Sequence, residues 1–155
     1  MSAYDGKILN IALVWHHHQP FYKDLLTNEY RMPWVRLHAA KDYYDMVAIL
    51  DNYPRAKFTC NLTPSLLVQL EDYAAGRAKD KFLDLSLKPA DQLTEEEKIF
   101  LLHNFFMSNW ENMVTPYPRY LELLEKRGRH AVVEEIKRTK IYFKEQDYRD
   151  LQVWF

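Results

Sequence analysis

Residues 8–15, ILNIALVW, form a run rich in branched apolar side chains, broken only by Asn10, after the turn-forming pair Asp5-Gly6. A run of this kind predicts a strand covered on both faces, as in a parallel sheet. The pattern breaks from Gln19 to Pro33, where flanking prolines mark a long loop of the sort that carries sites. A helical period then takes over between Trp34 and Tyr53: Val35, Ala39, Tyr43, Met46, Val47 and Leu50 recur three and four apart, with Pro54 beyond the end. The spacing predicts a helix of about five turns. Residues 56–61, AKFTCN, predict a second short strand. Thr63 and Pro64 are suited to the cap and first turn of another helix, with Leu66, Leu67, Leu70, Tyr73 and Ala74 on its apolar face and Gly76 at its end. Strand, helix, strand, helix is the order of a parallel α/β sheet.

The second half has a different pattern. Thr94 and Glu97 form a capping box before IFLLHNFFMSNW, in which Ile99, Leu102, Phe106 and Trp110 continue a helical face. The three glutamates at its start place negative charge where a helix N-terminus favours it. Further helices are predicted from Pro118 to Gly128 and from Val132 to Arg138, and no third strand is evident. Two parallel strands followed by a helical segment make an odd complete domain, and the chain closes on the apolar LQVWF. The expectation is therefore a piece of something longer: two strand-helix units at about 8–78 and a helical segment at about 80–155.

Composition narrows the function classes. Apolar residues make up 48% of the 155 positions, enough for a sizeable core. Twenty-one basic against 22 acidic side chains give a net charge of −1, so no global field gathers nucleic acid or an anionic membrane. No apolar run approaches the roughly 20 residues of a spanning helix. The start MSAYDGKILN lacks the features of a secretory signal, and the lone Cys60 has no internal partner; a reducing cytoplasm and a buried, inert thiol are expected. Eleven tyrosines, eight phenylalanines and four tryptophans either fill the core or present ring faces to sugars, and composition does not separate these two accounts.

The candidate chemistry lies in LVWHHHQPFY, residues 13–22. Side chains alternate along a strand, so His16 and His18 share one face with Val14 and Ala12, while His17 joins Trp15 and Leu13 on the other. A His-x-His pair suits zinc, with His38 or Asp42 as third ligand, though no spacing demands it. Neutral imidazoles equally donate to and accept from neighbouring hydroxyls. Trp34, directly after the loop, either borders such a site or packs, with Arg36 beside it pairing with a carboxylate. Asn61, at the end of the second strand, either reaches a hydroxyl or bonds to local backbone.

Six blocks carry a resemblance over nearly the whole chain: LVWHHHQPFYKD, MPWVRLHAAKDYYDM, FTCNLTPSLLVQLEDYAAG, NFFMSNW, PYPRYLELLEKRG and DYRDLQVWF. In this order they resemble the N-terminal part of glycoside hydrolase family 57. The resemblance implies an incomplete, TIM-like (β/α)7 barrel that acts on α-glucans or malto-oligosaccharides with retention, some relatives being hydrolases like α-amylase or amylopullulanase and others glucanotransferases. The family's HQP motif, at the C-terminal end of the first barrel strand, matches His18, Gln19 and Pro20. A further family histidine matches His16. Both histidines are expected to contact substrate rather than act as nucleophile or acid.

A retaining glycosidase needs two carboxyl groups about 5–5.5 Å apart. The resemblance places both beyond Phe155, and the family's second motif has no counterpart here. Glu111 and Asp150 stand in helical contexts and are not expected to be catalytic. No cofactor or metal is implied. The expected partners are the glucan and the remainder of the barrel, and the isolated piece is expected to be inactive. A non-catalytic carbohydrate-binding or regulatory module is the alternative from another class.

Overall fold

A computed structural model describes residues 9–155; the Asp5-Gly6 turn and Ile8, the first residue of the predicted strand, lie outside them. The chain is mixed α/β, with two small parallel sheets and many helices. It divides into two compact units, Met1–Asp80 and Lys81–Phe155.

In the first unit, β1 (Val14–His17) pairs in parallel with β3 (Thr59–Leu62), and the register sets Trp15 beside Cys60, His16 beside Asn61 and His17 beside Leu62. The strand begins later than the apolar run predicts because its pairing begins there: Thr59 N–H reaches Leu13 O at 2.9 Å. His16 and His17 consequently lie within the paired strand, and His18 directly follows it. The loop that follows is more ordered than the proline-flanked pattern suggests, since β2 (Glu29–Tyr30) pairs in parallel with β4 (Lys79–Asp80).

The helix expected over 34–53 is continuous in direction but not in winding. An α-helical turn, α1 (Trp34–His38), passes into a π-helical turn at Ala39–Tyr43, then α2 (Tyr44–Ala48) and a 3-10 turn at Ile49–Asn52. A π turn widens the helix by one residue and resets which side chains follow on one face. The second expected helix is α3 (Pro64–Ala74); Thr63 holds the extended N-cap conformation and Pro64 opens the first turn. Gly76 follows at φ +67°, a left-handed conformation that suits glycine after a helix end.

Val35 and Leu66 are fully buried where α1 packs on α3. Two ion-pair clusters lie around α3. Asp72 accepts from Lys23 (2.7 Å), Tyr30 (3.2 Å) and Arg77 (3.2 Å), and the Lys23 ammonium holds its carboxyl below the usual carboxylate range. Asp80, also buried, accepts from Arg36 (3.1 Å) and Tyr73 (3.0 Å). Burial beside these carboxylates pushes the Tyr30 and Tyr73 hydroxyls well above the usual phenol range.

Cys60 corrects an expectation: it is exposed rather than buried. The reason is the sheet itself, because every residue of β3 is exposed and Leu13 and Val14 of the neighbouring chain segment are 50% and 62% exposed.

The second unit is helical: α4 (Lys81–Leu87), α5 (Glu95–Asn104), α6 (Trp110–Met113), α7 (Pro118–Arg127), α8 (Val133–Thr139) and α9 (Glu145–Trp154). Its core gathers Phe82, Leu101, Leu102, Phe105, Leu123, Leu124, Ile136 and Leu151 among others. The Thr94–Glu97 capping box is formed with both hydrogen bonds. The α5 helix stops before Trp110, because Asn104 Nδ2 turns back to Phe100 O and Asn109 starts α6 as a new N-cap.

Candidate functional site

The parallel pairing of β1 and β3 carries the candidate site at its C-terminal end. Alternation sends successive side chains to opposite faces, and the three histidines have different surroundings as a result. His17 is 6% exposed and its ring stacks on Tyr43, 4.9 Å between centroids. On that same face Trp15 packs on Phe58 at 4.2 Å. His17 is thus covered by the π turn of the crossover helix.

His16 and His18 are exposed on the other face, their rings nearly parallel and 6.1 Å apart. Asn61, their neighbour across the register, is exposed too and bonds to His16: Nδ1 lies 2.9 Å from Asn61 Oδ1. With that oxygen accepting, the proton sits on His16 Nδ1, which leaves Nε2 as an acceptor and the Asn61 amide group as a donor. One face at the end of two parallel strands therefore offers His16, His18 and Asn61 as a short row of polar groups. Open α/β sheets bind ligands beyond the carboxyl ends of their strands.

Two other candidate residues are directed elsewhere. The Gln19 amide donates to Tyr43 Oη at 3.2 Å and accepts from Tyr22 Oη at 3.2 Å, so it faces the covering helix. Trp34 is half-buried and tilts against His38 at 6.5 Å. His38 is in turn bonded to Asp42, an (i, i+4) pair across the π turn, and that hydrogen bond holds the Asp42 carboxyl below its ordinary range. Both groups considered as third metal ligands are thus on the side of His17, away from His16 and His18. Among the described residues no group of three His, Cys, Asp or Glu side chains is placed to hold a metal ion. Arg36, beside Trp34, pairs with Asp80.

Residues not singled out by sequence reasoning as part of the site are Tyr43 and Gln69. Tyr43 falls on an apolar helical face, where its hydroxyl carries no signal. Gln69 does leave one: it stands between Leu66 and Tyr73 on the apolar stripe of α3, a polar side chain where the period calls for an apolar one. It is fully buried, and its amide bonds to backbone groups of the segment after His18.

Glu111 is exposed on the short α6, and Asp150, on α9, accepts from Arg119 at 2.7 Å. Asp147, one turn before it, is buried; desolvation opposes its ionisation, but Lys126, the Lys144 N–H and Arg119 outweigh that and lower its pKa.

Among known protein families, the chain matches a family of glycoside hydrolases. The matching family model is Glycosyl hydrolase family 57, over residues 12–148, and the chain belongs to that family. No curated protein and no solved structure matches it. No helix among the described residues is long and apolar enough to cross a membrane.

Proposed function

We propose that this chain forms the first part of a retaining, α-glucan-active hydrolase or transglycosylase, and that His16, His18 and Asn61 form one wall of its sugar site. The observation that carries the reading is the row they make: exposed, polar, joined by the 2.9 Å His16–Asn61 bond, and set on the face of the parallel pair opposite the covering helix. In a closed β/α barrel the helices lie outside, so that face is the inner one. Imidazole nitrogens and an amide along it can donate to and accept from the hydroxyls of a sugar. Gln19 and Trp34 take a supporting place, Gln19 by fixing the turn after His18 and Trp34 by bordering the helix start.

The barrel reading has its own support. Parallel strands are normally covered on both faces, yet β3 is exposed throughout and apolar Leu13, Val14 and Leu62 face solvent. Further strands of the same barrel are the covering that suits such a surface. The catalytic carboxylates are likewise assigned to residues outside this chain. Asp24, Asp72 and Asp80 are each held in an ion pair and Asp42 is bonded to His38, which suits scaffold rather than nucleophile or acid. The free, exposed Cys60 suits a reducing, cytoplasmic setting.

The test is His18→Ala in the full-length protein, assayed on malto-oligosaccharides. Losing hydrogen bonds that strengthen in the transition state is expected to lower kcat/KM by about a hundredfold. Because His18 is exposed, the unfolding free energy is expected to stay within about 0.5 kcal/mol. Turnover that survives unchanged sinks the assignment of His18 to the sugar site.

A further inference from the structure

We infer that Gln69 and Tyr43 are positioning residues that set the presentation of His18 by fixing the backbone and side chain of the segment Gln19–Tyr22; the inference rests on the sugar-site reading of His18.

Gln69 belongs to α3, far from β1 in sequence, and its side chain is fully buried. Its carbonyl oxygen accepts from Tyr22 N–H at 2.8 Å, while its amide nitrogen donates to Pro20 O at 3.0 Å and to Ser65 O at 2.8 Å. Ser65, one turn earlier on the same helix, donates to Gln19 O at 3.2 Å. Every bond from these two side chains to the loop goes to main-chain groups of residues 19–22, so what they determine is the path of the chain.

Tyr43 acts from the other helix. Its hydroxyl takes the Gln19 amide N–H at 3.2 Å, the opposite end of that amide takes the Tyr22 hydroxyl at 3.2 Å, and its ring lies on His17. The π turn at Ala39–Tyr43 is what brings that ring and hydroxyl to bear on His17 and Gln19 together. His18 thus stands between His17, pinned by a ring stack, and Gln19, pinned by side chain and carbonyl. A buried amide that bonds both to one short loop and to its own helix is costly to misplace, because each stranded partner loses its hydrogen bond in a dry environment. Such a scaffold fixes an exposed imidazole without touching it, as supporting residues do for catalytic groups in general.

The experiment is a double-mutant cycle in the full-length protein between His18→Ala and Gln69→Glu, with maltopentaose turnover and the histidine imidazole 15N signals as readouts. Glutamate keeps the acceptor for Tyr22 N–H and turns an oxygen toward the Pro20 and Ser65 carbonyls. Gln69→Glu alone is expected to shift the His18 signals and lower kcat/KM about tenfold, and to cost nothing further once His18 is alanine. Full additivity, or His18 signals that stay in place, overturns the inference. Should His18→Ala leave turnover intact, the sugar-site reading fails, and the His18 signals alone then decide whether Gln69 positions it. If Gln69→Glu does not fold, Tyr43→Phe takes its place in the same cycle, since it removes one hydroxyl and keeps the ring on His17.

Discussion

Three adjacent histidines occupy three environments, and the difference follows from strand alternation plus what covers each face. His17 meets the ring of Tyr43, while His16 bonds to Asn61 and His18 stands exposed beside it. Burial creates a second residue-scale case in Arg127. Its guanidinium lies over the Phe106 ring, shielded from solvent, and donates to Leu102 O, Gly128 O and Arg129 O at 3.1, 3.0 and 2.8 Å. It thereby caps the C-terminal ends of both α5 and α7, where a cation is favoured, although desolvation lowers its pKa. Arg127→Met keeps most of the volume and strands three carbonyls, so denaturant unfolding is expected to show a loss of about 3 kcal/mol. A loss under about 0.5 kcal/mol would mean that water replaces the guanidinium. The split between His16 and His17 was legible in the sequence, because alternation is a property of the strand itself. The exposure of Cys60 was not, because it depends on neighbours that its own strand does not encode.

Elements are tied to one another by carboxylates whose pKa values are lowered. Glu95, at the start of α5, is drawn down to about 2 by Lys140 and Lys98, and Asp24 to about 2 by Arg31 and the Thr27 and Leu26 N–H groups. Glu97 is lowered as well, by Lys88 and the Thr94 N–H. A carboxylate with a folded pKa below its unfolded one stabilises the fold fully above the unfolded value and loses that contribution as pH falls through the folded one. Stability is therefore expected to be level from neutrality to about pH 5, then to fall between the ordinary glutamate value of 4.5 and about 2. Urea unfolding across this range checks it; a fall that begins near pH 6 would point to histidines instead. The capping box at Thr94 and the Thr63-Pro64 start could be read from sequence, since caps are local chemistry. The π turn could not, because Ala39–Tyr43 fits an ordinary helical period and only packing against His17 and Gln19 shows the extra residue.

At the scale of the molecule, the parallel βαβ order was legible from the alternation of periods, and six sequence blocks pointed to the family that the family model matches. The small β2–β4 pair was not, since two-residue strands leave no periodic trace. What joins the scales is one proposition: the face bearing His16, His18 and Asn61 meets an α-glucan. The most direct measurement is a titration of the full-length protein, 15N-labelled at histidine, with maltopentaose. The His16 and His18 imidazole signals are expected to move saturably, while His103 and His130 of the helical unit stay in place. Saturable binding that leaves His16 and His18 unmoved would contradict it.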